Sequence, residues 1–365
     1  MAQRDFYIDR LRSVMTVLVI LHHTAITYGA IGGWFWHELE PSRTPSCILL
    51  VLFCTTNQAY FMGFFFLLAG YFTPASLDRK GYRQFILDRL MRLGIPILAF
   101  GLILGPLTAA LVTAARGDGF WPTFAALWHR KQFIIGPLWF AEALLIFSLL
   151  YVLKMCTAGP ALGALGSALS PVPGWRAWFL CALLVGAIAV AVRQVYPIGK
   201  SLYGYWAMYV FLFIVGTLAK PRNWLNQLTW KQARPWVITA CVAWPLLLLG
   251  WMLAGPNANF DTGLGWPAFL YAFWEPFIAW GLIAAWLLIF RERMNQPSAF
   301  WNWLNRRAYA VYIIHPPVLV GIALLAHGWA APALIKFGVV GSLACVATWL
   351  VADPLVRLPG VRSVV

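Results

Sequence analysis

Charged residues are scarce in this sequence. Only 11% of its 365 residues are Asp, Glu, Lys or Arg, whereas a soluble domain carries about 25%. Hydrophobic residues make up 61% of the chain and aromatic residues 16%. This composition excludes an ordinary soluble domain and indicates a membrane protein with several transmembrane segments. We expect one integral-membrane domain over residues 1–365, because no linker, internal repeat or low-complexity segment divides the chain.

The sequence also lacks closely spaced cysteine pairs, and it has few acidic residues. The six cysteines are scattered without a Cys-x-x-Cys pair, which argues against a metal cluster or a disulfide framework. We therefore expect no metal and no permanently bound cofactor. Two of the 12 acidic residues, Glu142 and Glu275, fall within apolar stretches. Ionisable groups inside a membrane are costly and need a partner or a wet cavity, so an interhelix contact and a catalytic role are both open for each.

Long apolar stretches recur along the whole chain, and about 20 mostly apolar residues suffice to cross a bilayer. We expect about ten transmembrane spans, near residues 10–30, 46–73, 94–115, 135–156, 176–195, 201–219, 235–254, 266–290, 308–327 and 331–352. The sequence thus predicts an all-α polytopic membrane protein, a helix bundle in the cell inner (plasma) membrane. Its first apolar stretch is too long for a cleavable signal peptide.

Lys and Arg concentrate in every second connecting segment. By the positive-inside rule, this bias predicts that both termini are cytoplasmic. The same bias explains the net charge of +15, so no nucleic-acid partner is expected.

The first apolar stretch contains both a cation and imidazoles. Arg12 and His23 are separated by three α-helical turns plus roughly 20°, so they share one face and lie about 16 Å apart. His22 points roughly 80° away from that face. An arginine at the membrane edge and a titratable group deeper inside suit a long anionic substrate. The alternative is that Arg12 marks the cytoplasmic end and the histidines bond polar neighbours.

Two further motifs carry candidate functional residues. Arg89 and Arg92 are nearly one turn apart in a segment on the same predicted inner surface as Arg12, and arginine suits phosphate through its planar fork of donors. The alternative is an amphipathic segment lying on anionic lipid. His315 precedes Pro316 and Pro317, which remove backbone donors and kink a helix. Such a histidine could line a cavity or only bond the next helix.

The first two predicted outer loops combine aromatic rings with carboxylates. Aromatic rings stack on the apolar face of a sugar while carboxylates accept bonds from its hydroxyls. Tryptophan is also enriched at any membrane interface, so an aromatic belt is the alternative. The residues are Trp34, Phe35, Trp36, His37, Glu38 and Glu40 in the first loop and Asp118, Phe120, Trp121, Trp128 and His129 in the second.

Several of these stretches, in this order, resemble the membrane acyltransferase 3 family, and most closely its glucan succinyltransferase branch. The resemblance runs almost from end to end. Ala69 stands where the family more often has Ser. The matching pieces are DFYIDRLRSVMTVLVILHH (5–23), FFFLLAGYF (64–72), DRLMRLGIP (88–96), PLWF (137–140), AYAVYIIHPPV (308–318) and LVRLPGVRSVV (355–365).

This resemblance implies transfer of an acyl group from cytoplasmic acyl-CoA, the co-substrate, to a hydroxyl of a carbohydrate or glycan acceptor. Arg12, Arg89 and Arg92 would hold the phosphates of CoA, and His23 would be the general base. His315 is the fallback base, and Glu142 is a further catalytic candidate. A transporter or flippase of a lipid-linked saccharide is the rival interpretation, although the chain lacks the internal symmetry of many transporter folds.

Overall fold

A computed structural model of the chain describes residues 5–158, 170–255 and 258–364. These residues form helices and connecting segments, and the β-structure among them is one isolated bridge between Tyr28 and Leu39. The predicted all-α class is therefore confirmed. The helices of eleven or more residues are α1 (Phe6–Thr27), α2 (Pro45–Arg89), α4 (Gly105–Ala115), α6 (Trp139–Ala158), α7 (Trp175–Val195), α8 (Trp206–Ala219), α10 (Trp230–Ala254), α11 (Trp266–Arg293), α13 (Ala308–Leu325) and α14 (Ala333–Leu355). The shorter helices are α3 (Ile95–Ala99), α5 (Phe120–His129), α9 (Trp224–Gln227), α12 (Ala299–Asn305) and α15 (Pro359–Arg362).

Within the described residues, 8 helical stretches are long and apolar enough to cross a membrane. The protein is therefore a multi-pass membrane protein. One of the stretches, Pro45–Ala115, is 71 residues long and contains two of the predicted spans. The predicted total of about ten spans and the cytoplasmic position of both termini stay predictions.

The stretch Pro45–Ala115 is not a uniform α-helix. Gly81 interrupts α2 with φ 72° and ψ 167°, a conformation that glycine adopts without steric cost. Two π-helical turns, Leu90–Gly94 and Phe100–Leu104, end two residues before Pro96 and Pro106, which are the second residues of α3 and α4. Proline clashes with the carbonyl four residues earlier, and the wider i→i+5 turn accommodates that clash.

The described chain forms two compact units. Unit 1 is Met1–Leu11, Thr56–Tyr82 and Leu149–Gln296, and unit 2 is Arg12–Thr55, Arg83–Ser148 and Pro297–Val365. The expectation of a single domain stays a prediction.

Unit 1 is built around the pairing of α10 with α11, and α11 also packs against α7. Leu247, Tyr271 and Trp274 belong to its buried apolar cluster. Gly281 permits the close approach of α11 to α10, because a Cβ atom there would collide with the carbonyl of Trp236.

Unit 2 contains α13, which packs against α14 and α4, and α4 in turn packs against α5. Gly341 of α14 lies against α1, where a Cβ atom at Gly341 would come within 2.8 Å of the Leu21 side chain. This close packing places α1 beside α14, which in turn packs against α13.

Candidate functional site

All of the predicted site residues fall within unit 2, and two of them are in direct contact. Nδ1 of His23 on α1 lies 3.1 Å from Nε2 of His315 on α13. The two rings are nearly parallel, with centroids 5.2 Å apart. His315 is completely buried, whereas His23 is partly exposed. The pair therefore has a buried member and a member that can be reached.

The position of His315 follows from the proline after it. In an α-helix, the carbonyl of Tyr312 would accept a bond from the N–H of residue 316, but Pro316 has none. Nδ1 of His315 lies 2.7 Å from that carbonyl oxygen and takes the place of the missing donor. The helix α13 continues through Pro316 and Pro317.

This hydrogen bond decides which nitrogens carry protons. A carbonyl oxygen only accepts, so Nδ1 of His315 is the donor, and in the neutral ring its Nε2 must then be an acceptor. Nδ1 of His23 therefore donates to His315. Nε2 of His23 is left with a lone pair, which is the arrangement that a general base requires.

An indole ring completes the cluster. Trp34, in the loop after α1, stacks on His23 with ring centroids 3.9 Å apart and planes 13° apart. Its ring is also nearly parallel to that of His315, at 5.9 Å. His22 lies edge-on to His23, with centroids 5.7 Å apart, and is itself buried. Of the two adjacent histidines of α1, it is His23 that bonds to α13.

The site is tied to the start of α6. The hydroxyl of Tyr312 donates to the carbonyl of Pro137, in the 3₁₀ turn just before α6. Gly136 precedes it with φ 47°, a left-handed conformation that favours glycine. A Cβ atom at Gly136 would lie 2.8 Å from the ring of Phe100. The segment around residues 137–140 (PLWF) thus contacts and supports α13, the helix that carries His315.

Two of the predicted phosphate-binding arginines, Arg92 and Arg12, come close to the third, Arg89. Arg92, the carboxylate of Asp88 and Arg12 all interact electrostatically with Arg89, whose guanidinium lies 4.8 Å from the centre of the Phe85 ring. Arg12 and Arg92 are exposed, and Arg89 is partly buried. Like charges at short range repel, so an anion such as a phosphate would be stabilised among them.

Arg92 does not continue the α-helical register of Arg89. It lies in the π turn after α2, where the spacing of one α-helical turn no longer applies. Pro96 leaves the Arg92 carbonyl without its α-helical donor, and the hydroxyl of Tyr309 on α13 donates to that carbonyl at 2.6 Å. The same helix therefore holds the backbone of Arg92 and presents His315.

The two acidic residues of the apolar stretches differ. Glu142, in the first turn of α6, is partly buried and makes no hydrogen bond or ion pair with any described residue. It is therefore not joined to either histidine. Glu275 pairs with Arg193 inside unit 1, and both side chains are almost completely buried. This contact favours a structural role for Glu275.

The sequence did not reveal the stacking of Trp34 or the roles of Tyr309 and Tyr312. The sequence did contain a usable signal for both tyrosines. A proline in a helix leaves the carbonyl four residues earlier without its donor, as at Arg92 before Pro96 and at Tyr312 before Pro316. Among the described residues, no group of three or more His, Cys, Asp or Glu side chains could hold a metal ion. The expectation that the protein needs no metal or bound cofactor stays a prediction.

Residues 5–353 match the family described as an acyltransferase domain, the acyltransferase 3 family. The chain belongs to this family. It is 24% identical over 334 residues to the glucans biosynthesis protein C of Salmonella paratyphi B (strain ATCC BAA-1250 / SPB7), covering 87% of this chain and 83% of the relative. It is also 24% identical over 335 residues to the protein of the same name from Salmonella agona (strain SL483), with the same coverage. No solved structure gives a significant match.

The acyltransferase match includes every residue of the candidate site. The paired histidines and the three arginines lie between residues 5 and 353, in the part of the chain that the family covers. Together with the membrane-spanning helices, the match identifies the protein as a membrane acyltransferase. The predicted family and enzyme class are thus confirmed.

Proposed function

We propose that this acyltransferase moves an acyl group from cytoplasmic acyl-CoA to a hydroxyl of a carbohydrate or glycan, with His23 as the general base. The observation that carries the proposal is the bond from Nδ1 of His23 to Nε2 of His315. It leaves the other nitrogen of His23, Nε2, as the acceptor for a substrate proton. The name of the relatives, glucans biosynthesis protein C, supports a glucan as the acceptor.

The arrangement of α1 supports acyl-CoA as the donor. Arg12 and His23 both lie on this continuous α-helix, so about 16 Å of helix separates them. CoA carries phosphates at one end and a thioester at the end of its long pantetheine arm. Arg12, Arg89 and Arg92 would bind the phosphates while the thioester carbonyl reaches His23.

The reaction would proceed by direct transfer. Nε2 of His23 takes the proton of the acceptor hydroxyl, and the oxygen attacks the thioester carbonyl carbon. The carbon–sulfur bond then breaks, and the CoA thiolate leaves with the proton of the imidazolium, which restores neutral His23. General-base catalysis of this kind typically contributes about 10²–10⁴-fold in rate. An acyl-His23 intermediate is the alternative route.

His315 would hold His23 in the reactive tautomer. When His23 becomes an imidazolium, its Nδ1–H remains bonded to the acceptor Nε2 of His315, whose own proton is bonded to the Tyr312 carbonyl. A base that is oriented by a third group is a general feature of activated hydrolytic and transfer sites. Glu142, which has no described polar partner, stays a catalytic candidate without a role in this step.

The membrane topology forms part of the proposal. A continuous α-helix of 71 residues, the length of Pro45–Ala115, would be roughly 105 Å long, several times the thickness of about 30 Å of the hydrocarbon core. We therefore count this stretch as two spans separated near Gly81, and α1 as another, which supports about ten. Both termini are cytoplasmic and the protein is in the inner membrane, as a single integral-membrane domain.

The proposal is tested with the purified protein in detergent, incubated with acetyl-CoA or succinyl-CoA and a glucan. The expected result is release of CoA thiol that depends on the glucan, together with a glucan mass increased by one acyl group. Absence of CoA release with both donors would overturn the proposal. Movement of a lipid-linked saccharide across proteoliposomes by the same preparation would then favour the transporter or flippase.

A further inference from the structure

The closest ring contact at the site is made by a residue outside the proposed proton path. Trp34 stacks on His23 with centroids 3.9 Å apart, closer than the 5.2 Å between His23 and His315. The indole Nε1 of Trp34 is buried and has no hydrogen-bond partner among the described residues. Ring contacts, including an edge contact with Phe35 at 5.3 Å, therefore hold the indole in place.

The loop that carries Trp34 is anchored on both sides. Before it, the N–H of Ala30 bonds to the carbonyl of Ala25 at 2.9 Å. After it, the N–H of Glu38 bonds to the carbonyl of Thr27 at 2.9 Å, and the Glu38 carboxylate pairs with Lys336 of α14. Both ends thus return to the end of α1, and the segment between them is held over His23.

We infer that Trp34 is a positioning residue for acyl transfer: its indole face fixes the plane of the His23 imidazole and stabilises the imidazolium that forms when His23 takes the acceptor proton. This inference rests on the proposed function of His23. It gives Trp34 a role in the proton-transfer step. The alternative was a place in the aromatic belt at the membrane interface, where tryptophan is common.

The physical reason is the charge that appears during the reaction. The face of an indole carries partial negative charge and attracts a cation, and this attraction grows when water is excluded. Neutral imidazole gains less from the same contact, so the stabilisation is greater after proton transfer than before it. Interactions that strengthen toward the transition state raise kcat.

Apart from the Val19 carbonyl, which also accepts a hydrogen bond from His23, the other groups around His23 do not supply this effect. The titratable residues that face it are His315 on α13 and His22 on its own helix, and either one would repel an imidazolium if it were also protonated. Trp34 adds attraction without a competing proton acceptor, because its indole nitrogen only donates.

The test compares Trp34→Ala, Trp34→Phe and the control Trp175→Ala, all as full-length proteins with acyl transfer measured against pH. Trp175 is a suitable control because it is 58% exposed on α7, outside the candidate site. Trp34→Ala should lower kcat about tenfold and leave the KM for acyl-CoA unchanged, since a desolvated cation–π contact is worth about one such factor. The acid limb of the pH–rate profile should move to lower pH by about one unit, because the imidazolium is no longer stabilised.

Trp34→Phe should restore part of both changes, because phenylalanine keeps an aromatic face that attracts cations less strongly than indole. Trp175→Ala should match the wild type. If Trp34→Ala proves to be unfolded in a thermal scan, Trp34→Phe alone is compared with the wild type. Its acid limb is then expected to move to lower pH by less than the shift given for Trp34→Ala.

Each other outcome overturns the inference. Wild-type kcat and acid limb in Trp34→Ala would show that the stacking has no role in the reaction. An effect confined to the KM for the glucan would make Trp34 an acceptor-binding surface instead. A wild-type protein without acyl transfer would overturn the proposed function and this inference together. An active wild-type protein whose Trp34 variants have the same kcat and the same acid limb would overturn this inference alone.

Discussion

His23 and His315 share a hydrogen bond of 3.1 Å although 292 residues separate them in the chain. A neutral imidazole has one donor and one acceptor, and the His315 ring uses both, one toward its own helix and one toward His23. The bond from His315 to the Tyr312 carbonyl sets the direction of the whole chain of donors. The chemistry of α1 therefore depends on a backbone defect in α13.

The first prediction concerns the base. His23→Ala should abolish transfer and keep acyl-CoA binding, because the arginines that would hold the phosphates are unchanged. Wild-type activity should rise with pH through a transition in the imidazole range, which is about 6.5 when unperturbed. The matched control is His22→Ala, whose loss should be much smaller, because it is the His23 ring that bonds to His315. Purified His23→Ala protein that still transfers acyl groups would move the base to His315.

A second prediction tests the orienting role of His315. His315→Phe keeps a ring of similar size and removes the acceptor of the His23 bond, so kcat should fall about 10–100-fold while acyl-CoA binding persists. Tyr312→Phe is the control, because it removes the hydroxyl bond to Pro137 and keeps the carbonyl that accepts from His315. The orienting role is wrong if His315→Phe retains the wild-type kcat.

The third prediction concerns the arginine cluster. Arg12→Ala, Arg89→Ala and Arg92→Ala should each weaken acyl-CoA binding, measured by calorimetry, at a similar yield of folded protein. Arg12→Lys should restore binding only in part, because an ammonium lacks the planar fork of donors. Arg83→Ala, an exposed arginine of unit 2, is the control. Unchanged affinity in the three Ala variants would rule out the phosphate site.

The fourth prediction concerns orientation in the membrane. In a variant without native cysteines, Arg43→Cys should react with an impermeant maleimide added to intact cells, because the loop after α1 is expected outside. Arg79→Cys should react only after permeabilisation. Both positions are exposed in the folded protein. The opposite labelling pattern would reverse the orientation.

The fifth prediction decides the role of Glu275. Replacing it by Gln leaves Arg193 buried without its counter-charge, a change that costs about 3–5 kcal/mol in comparable pairs. The midpoint of thermal unfolding should fall, while the double variant Arg193→Met with Glu275→Leu should recover much of the loss. A stable Glu275→Gln protein without acyl transfer would point to a catalytic role instead.

Much of the fold was accessible from composition and local pattern. Apolar stretches predicted a helical membrane protein, and the spacing of Arg12 and His23 within one α-helix is found in α1. The pairing of His23 with His315 was not accessible, because a contact between distant segments leaves no trace in either local pattern. Each histidine was recognised as a candidate by itself, since an ionisable group in an apolar stretch is costly.

The departures have a common physical source in proline. The spacing of Arg89 and Arg92 predicted a shared α-helical face, but Pro96 is preceded by a π turn that changes the register. The bond of Tyr309 to the Arg92 carbonyl is likewise a consequence of the donor that Pro96 lacks. Rules for a single helix do not predict this bond, because the hydroxyl that replaces the missing backbone donor comes from another helix.

The discontinuous make-up of unit 2 has a consequence for biosynthesis. Its three segments are Arg12–Thr55, Arg83–Ser148 and Pro297–Val365, so the ribosome makes His23 and Trp34 long before it makes His315. The growing polypeptide therefore contains the His23 ring before its hydrogen-bond acceptor exists. A nascent chain halted before Ala308 would contain all three arginines and His23 but not the His23–His315 bond, so this pair forms only after α13 has been made.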